Sequence, residues 1–149
     1  MKIGDDVLNR VVKFRGKSLI TVEELDRMEI KHENGWVFGN LISNGKFPWI
    51  VGDVADWGED YIAHEWFVAV DPDTVGQFTG VPDKDGREIY DKDIIKMGGI
   101  LHRVEWSGKY VGYRLSGRGV STSLNIYHKA DYEVIGDVHE NPELLEAAK

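Results

Sequence analysis

Residues 76–90 read GQFTGVPDKDGREIY, and this stretch decides how the rest of the chain is read. A strand bounded by Gly76 and Gly80 runs into five charges, Asp83, Lys84, Asp85, Arg87 and Glu88, crowded around Asp85-Gly86. The chain then returns at once to Ile89 and Tyr90. The carboxylates invite a calcium reading, because Asp83 and Asp85 fit the start of a D-x-[DN]-x-[DN]-G loop. That loop fails further on: Arg87 stands at the third ligand position, where its cation opposes the ion, and Lys92 stands where the closing Glu belongs. Asp-Gly is a favoured central pair for a hairpin turn that needs positive φ. GQFTG is therefore read as a strand whose glycines allow close packing, and DKDG as a hairpin tip that returns the chain into EIY, with Gln77 and Tyr90 as braces.

Downstream, DIIKM (93–97), ILHRVEW (100–106) and KYVGYRL (109–115) are short strands separated by Gly98-Gly99 and Ser107-Gly108. Alternation puts Ile100, His102, Val104 and Trp106 on one face of the second strand, and Val111, Tyr113 and Leu115 on one face of the third. Strands this short, joined by glycine turns, predict small twisted antiparallel sheets with a partly closed, SH3-like barrel lobe. SGRGVSTS (116–123) reads as a loop, and SLNIYHKADYEVIGDVHE returns to β texture. NPELLEAAK begins a short C-terminal helix, with Asn141 as cap, Pro142 in the first turn, and Leu144 and Leu145 laid on the sheet.

Upstream, VVKFRGKSLI (11–20) reads as a strand ending near Gly16. TVEELDRMEIK (about 21–31) reads as a short inserted helix, since Thr21 and Glu24 have capping-box spacing and Leu25 and Met28 share a face. Residues 36–54 form a hairpin turning at Ser43-Asn44-Gly45, with Gly35 and Gly39 at turn or bulge positions. ADWGED (55–60) reads as a polar loop, and EWFVAV (65–70) as a strand that Asp71-Pro72 ends. The expected architecture is mainly β, a single domain over 1–149 or two β lobes, about 1–80 and 81–149, sharing a core.

A length of 149 residues fits one domain, and 42% hydrophobic residues with five Trp can fill its core. The absence of cysteine excludes disulfides, thiolate zinc sites and a Cys nucleophile. No apolar run approaches the roughly 20 residues that cross a bilayer, and the N-terminus lacks a secretory apolar stretch, so a soluble cytoplasmic protein without membrane association is expected. The net charge of -8 is unevenly spread. Asp53, Asp56, Glu59, Asp60, Glu65, Asp71 and Asp73 follow one another with no Lys or Arg between, which repels a phosphate backbone. In 103–118 the bias reverses: Arg103, Lys109, Arg114 and Arg118 stand against Glu105 alone.

No catalytic constellation emerges, and no cofactor or metal is expected. The five histidines, His32, His64, His102, His128 and His139, show no metal-binding spacing, and His102 reads as a hydrogen-bonded core residue. SGRG (116–119) lacks the Lys-Ser/Thr that defines a phosphate-binding P-loop. Two polar surfaces remain besides the tip formed by Asp83, Lys84, Asp85 and Arg87. The first is the acidic set Asp53, Asp56, Glu59 and Asp60. The second is Arg103, Tyr110 and Arg114, which project away from the core and resemble a small stacking platform for single-stranded nucleic acid.

The opening stretch lies within VDPDTVGQFTGVPDKDGREIYDKDIIK (70–96), which resembles the central signature of the YopX-like phage protein family. VKFRGK (12–17) with GWVFGNLI (35–42) is similar to the family's N-terminal motif, and YEVIGDVHENPELL (132–145) to its C-terminal one. Where that signature has Gly in the turn before Asp-Ile, this chain has Lys92, so the turn must suit a non-glycine residue or differ. The resemblance implies a β-rich fold, a phage or prophage origin and no established enzymatic activity. The expectation is a non-enzymatic phage accessory protein that binds a host or phage protein in the bacterial cytoplasm. The alternatives are nucleic-acid binding through 103–118 and a small metal-dependent hydrolase or nuclease. Exposed β edges also admit a homo-oligomer.

Overall fold

The computed structural model describes residues 10–43 and 45–148 and divides them into two bodies, 12–77 and 78–148, with residues 10 and 11 grouped with the second. Strand accounts for 47% and helix for 15%, and one sheet curls into a half-barrel, so the fold is mainly β as the alternation predicts. Asn44, in the expected turn of the 36–54 hairpin, lies outside the described residues.

The body 12–77 contains β1 (Phe14–Lys17), β2 (Trp36–Ile42), β3 (Trp49–Val51), β4 (Val54–Trp57), β5 (Ile62–His64), β6 (Phe67–Ala69) and the first two residues of β7 (Gly76–Pro82). Here β1, β2, β3 and β6 form an antiparallel sheet in the order β6-β3-β2-β1, with the start of β7 on the far side of β1. The sheet bends until Ser18, just past β1, bridges Val70, just past β6. Leu19 N donates to Ala69 O at 2.9 Å, and Asp71 N to Lys17 O at 2.9 Å. Two glycines permit this curl. A Cβ on Gly16 would lie 2.7 Å from the Val70 side chain, and one on Gly39 would lie 2.2 Å from the Val51 carbonyl oxygen.

The helix α1 (Val22–Arg27) is shorter than the predicted 21–31. Thr21 caps it, accepting from Glu24 N at 3.1 Å, and Glu29 leaves it with φ 58°. Leu25 from α1 is fully buried with Ile30, Val37, Ile50, Val68 and Val70, which makes it the helix's anchor on the curled sheet. A six-residue helix is marginal alone, so this burial holds it.

In the body 78–148 the rest of β7 pairs with β8 (Glu88–Tyr90). Beside them lies a five-stranded antiparallel sheet, β12-β11-β10-β9-β13, made of β9 (Asp93–Met97), β10 (Ile100–Ser107), β11 (Gly112–Gly117), β12 (Val120–Ser123) and β13 (Glu133–Asp137). Val81, Ile89, Ile95, Val104, Leu115, Tyr132 and Val134 form its core. Val104 pairs with Leu115, and Glu105 with Arg114, so the predicted division of faces holds in register. Residues 116–123, read as a loop, instead complete β11 and form β12; Gly119 at φ 76° makes the tight turn between them. The 3-10 segment Ile126–Asp131 interrupts the β texture expected there.

The C-terminal helix α2 (Pro142–Ala147) packs against β10 and β13 as expected. Asn141 does not cap it. Its Oδ1 accepts from Asp137 N at 3.2 Å, which ties the helix entrance back to β13 instead.

Candidate functional site

The signature hairpin proves to be a latch. Phe78 pairs with Tyr90 and Pro82 with Glu88, so β7 carries extra residues that must bulge. Gly80 makes the bulge at φ 90°, with nothing within 4 Å of where a Cβ would sit; its role is conformational, not the close packing expected. Thr79 fills the distortion, its Oγ1 donating to Ile89 O at 2.8 Å and accepting from Val81 N at 3.2 Å. Tyr90 OH donates to Glu88 Oε1 at 3.1 Å.

At the tip, Asp83 is buried at 4% exposure. Its Oδ1 accepts from Asp85 N and Arg87 N, both at 2.9 Å, and its Oδ2 accepts from Val134 N at 3.0 Å. Lys84 N donates to Tyr132 O at 2.9 Å. The tip thereby occupies the outer edge of β13, with the Asp83 carboxylate standing in for a strand carbonyl. Burial pushes this carboxyl up, but the backbone donors of Val134, Arg87 and Asp85, helped by the Arg87 charge, outweigh it and hold the group below its ordinary value. Lys84, Asp85 and Arg87 are exposed. Lys84 pairs with Glu133 at 3.0 Å, and this contact raises its pKa.

The acidic set lies elsewhere, on a ribbon. ADWGED was read as a loop, yet β4 and β5 pair as an isolated two-stranded hairpin, with Trp57 opposite Ile62, Asp56 opposite Ala63 and Val54 opposite His64. Opposite residues share a face, and the register shift between Val54 and Asp56 keeps Val54 with Trp57. One face therefore carries Val54, Trp57 and Ile62, exposed at 49%, 72% and 67%, with the half-buried His64 opposite Val54 at the ribbon's root. The other carries Asp56 and Tyr61, whose OH donates to Asp56 Oδ2 at 2.9 Å; that bond, with a smaller contribution from burial, raises the phenol's pKa. Glu59 and Asp60 form the turn, and Asp53 and Glu65 flank the base, where Glu65 N donates to Asp53 O at 2.8 Å. His64 Nδ1 lies 2.7 Å from Gly52 O and pins the ribbon's root. Sequence reasoning found the acids by charge census and missed the apolar residues. Trp57 to Ile62 has no core-facing alternation, because these strands pair only with each other.

The third set lies on β10 and β11. Arg103 and Arg114 project from the face opposite Val104 and Leu115. Tyr110 is not on a strand but in the turn between them, 57% exposed, with the Arg114 guanidinium 4.0 Å and the Lys109 ammonium 5.4 Å from its ring centroid. Arg114 also donates to Ser121 Oγ at 2.8 Å and Ser121 O at 3.0 Å. Arg103 pairs with Glu105 at 3.2 Å, which removes most of its long-range charge. His102 is buried, its Nδ1 3.1 Å from Ile100 O. Across the core-side end of the same strands, Trp106 and Tyr113 meet edge to face at 5.2 Å; burial first, then the charge of Asp91, pushes the Tyr113 phenol up to about 12.

Among the described residues no group of three His, Asp or Glu side chains is placed to hold a metal ion, and no helix is long and apolar enough to cross a membrane. Further carboxylates serve turns as Asp83 does, among them Asp71, which accepts from Asp73 N at 3.0 Å. Asp93 accepts from Tyr90 N at 2.7 Å, and Asp137 from His139 N and Glu140 N at 2.9 Å each.

Against protein-family models, residues 10–146 match the model described as YopX protein. Among solved structures, the crystal structure of protein EF1440 from Enterococcus faecalis is similar in fold, with a TM-score of 0.52 and 22% identity, over 91% of this chain and 99% of that one. No curated protein matches.

Proposed function

The chain belongs to the YopX family, and we propose that it is a non-enzymatic phage accessory protein that docks a partner protein through the β4–β5 ribbon. The apolar face of that ribbon carries the reading: Val54, Trp57 and Ile62 stand in solvent on strands whose residues are all exposed except His64. A two-stranded hairpin is marginal by itself, so a ribbon that is joined at its root to the β3–β6 ladder and is otherwise exposed gains stability when a partner covers it. Trp is the residue most enriched among interface hot spots, and covering Trp57 and Ile62 contributes about 1.5–3 kcal/mol each. The acids Asp53, Asp56, Glu59, Asp60 and Glu65 select the partner: an apolar groove rimmed by Lys and Arg, approached faster at low salt. The setting is the cytoplasm of a bacterial host, which a chain without cysteine suits.

The test is affinity purification of the tagged protein from phage-carrying cells, with and without nuclease, comparing wild type with a Trp57→Ser/Ile62→Ser variant. One stoichiometric protein that survives nuclease and disappears from the variant is expected. Because both residues are exposed, the variant should melt within about 0.5 kcal/mol of wild type. A partner retained by the variant, or recovery that collapses after nuclease, overturns the reading. Recovery of a second copy of this chain would make the ribbon a self-association site instead.

A further inference from the structure

We propose that β11 and its two flanking turns form a second, independent binding site, for single-stranded nucleic acid. Three cations are spread along this strand: Lys109 in the turn before it, Arg114 in its middle and Arg118 in the turn after it. Lys109 and Arg114 meet on one ring, 5.4 and 4.0 Å from the Tyr110 centroid, while Arg118 stands at the far end of β11, whose six residues span about 17 Å at roughly 3.3 Å per residue. Arg103 adds little, being paired with Glu105. Between residues 103 and 118 Glu105 is the single acid, and most of the chain's acidic excess lies before residue 78.

An aromatic platform stands over Arg114. Tyr110 is exposed, and the Arg114 guanidinium packs on its ring while Nε and one terminal nitrogen donate to Ser121. A guanidinium held in this way is stacked over one face of the ring, and such exposed aromatic–arginine pairs are surfaces on which bases stack without regard to sequence. Ser116, Ser121 and Ser123 line the same sheet face and offer hydroxyls to phosphate or sugar; Ser116 pairs with Ser121, and Arg114 with Ser123.

Of the five non-glycine residues with positive φ among the described residues, two stand in the turns at the ends of β11. Val111 has φ 51° and is 75% exposed, and Arg118 has φ 49°. The left-handed region is disfavoured for L-residues, and a β-branched residue there is a true outlier. Glycine or asparagine would relieve both turns at no cost in packing, since neither side chain is buried. Arg118 with Gly119 makes the two-residue hairpin turn that needs positive φ, so the distinctive outlier is Val111, a β-branched residue kept beside Tyr110, and such outliers occur at binding sites.

The probe is a fluorescently labelled oligothymidylate of 15 nucleotides, followed by anisotropy against the full chain from 25 to 200 mM NaCl. Binding is expected at 25 mM salt. The slope of log K against log salt should be near −2, since each of three contacts to a single strand contributes about −0.7. Tyr110→Ala should weaken binding about tenfold, whereas Tyr110→Phe, which keeps the ring, should stay within about twofold. Arg114→Ala should both weaken binding and flatten the slope. The ribbon variant Trp57→Ser/Ile62→Ser should bind the oligonucleotide unchanged, so this site and the protein-docking ribbon succeed or fail separately. No binding at 25 mM salt, equal affinity for a duplex of the same length, or indifference to both Tyr110→Ala and Arg114→Ala overturns the assignment.

Discussion

Replacing Asp83 by Asn tests whether the signature hairpin is a latch. The carboxylate accepts three backbone N–H groups through two oxygens. An amide of the same size keeps one oxygen and turns an NH2 toward a donor. In either orientation at least one buried N–H loses its acceptor, and the remaining bonds lose their charge. An unsatisfied buried donor costs about 1–3 kcal/mol, and hydrogen bonds to a charged group are worth about 1.5–3 kcal/mol, so a loss of about 2–3 kcal/mol is expected at pH 7. That corresponds to a melting temperature lower by roughly 5–10 °C for a chain of this size. Amide exchange gives the local readout: Val134 and Arg87 should lose protection together, because one side chain holds both. The pH dependence adds a second check. Asp83 titrates below its ordinary value of 3.8 in the folded state, so its stabilisation is complete above that value and is lost as pH falls through the lower, folded pKa. The gap between wild type and Asp83→Asn should thus be constant from pH 7 to about 5 and narrow as the acid is protonated. A gap that persists unchanged to pH 2, or a Val134 amide whose exchange ignores the substitution, would refute the latch.

Two glycine-related substitutions should move stability in opposite directions. Gly39→Ala puts a Cβ 2.2 Å from the Val51 carbonyl, a backbone atom that cannot swing aside, so urea denaturation should show a loss of at least about 2 kcal/mol; a loss under 0.5 kcal/mol would mean the sheet does not curl there. Lys92 holds φ 73° in the turn before β9, donating to Val104 O at 2.8 Å and accepting from Val138 N at 3.0 Å. Lys92→Gly removes about 1–2 kcal/mol of strain against an entropic cost of about 0.5–1 kcal/mol, for a net gain of about 0.5–1 kcal/mol and a melting temperature about 2 °C higher. A lower melting temperature would contradict the left-handed turn.

Lys92 also shows where sequence reasoning worked. The departure from the signature posed a choice between a turn that tolerates a non-glycine residue and a different turn, and the chain keeps the left-handed turn and accepts the strain. Strands β10 and β11 were legible because each buries one face, which writes a period of two into ILHRVEW; β9 buries Ile94 and Ile95 on both faces and was legible as a short apolar run between turns. The ribbon was not legible for the converse reason: with no buried face, Trp57 and Ile62 leave no alternation to detect. Gly39 looked like a bulge because its constraint, the approach of Val51, comes from a neighbouring strand and not from its own segment. Asp83 looked like a surface charge because the donor that completes its burial, Val134, is 51 residues away.

That separation has a consequence for the order in which the chain can be finished as it is made. Residues 76–90 emerge from the ribosome well before 132–134, so the tip hairpin exists for a time with the Asp83 carboxylate half-satisfied and the Lys84 amide unmatched. Over the same interval β9 has β10 on one side and nothing on the other, because its second neighbour is β13. Ile94 and Ile95 on that unfinished strand are fully buried in the completed protein. The nascent chain is thus most exposed to wrong edge pairing during the passage of β10 to β12, and that hazard ends when one strand arrives to satisfy β9 on one side and the waiting hairpin on the other.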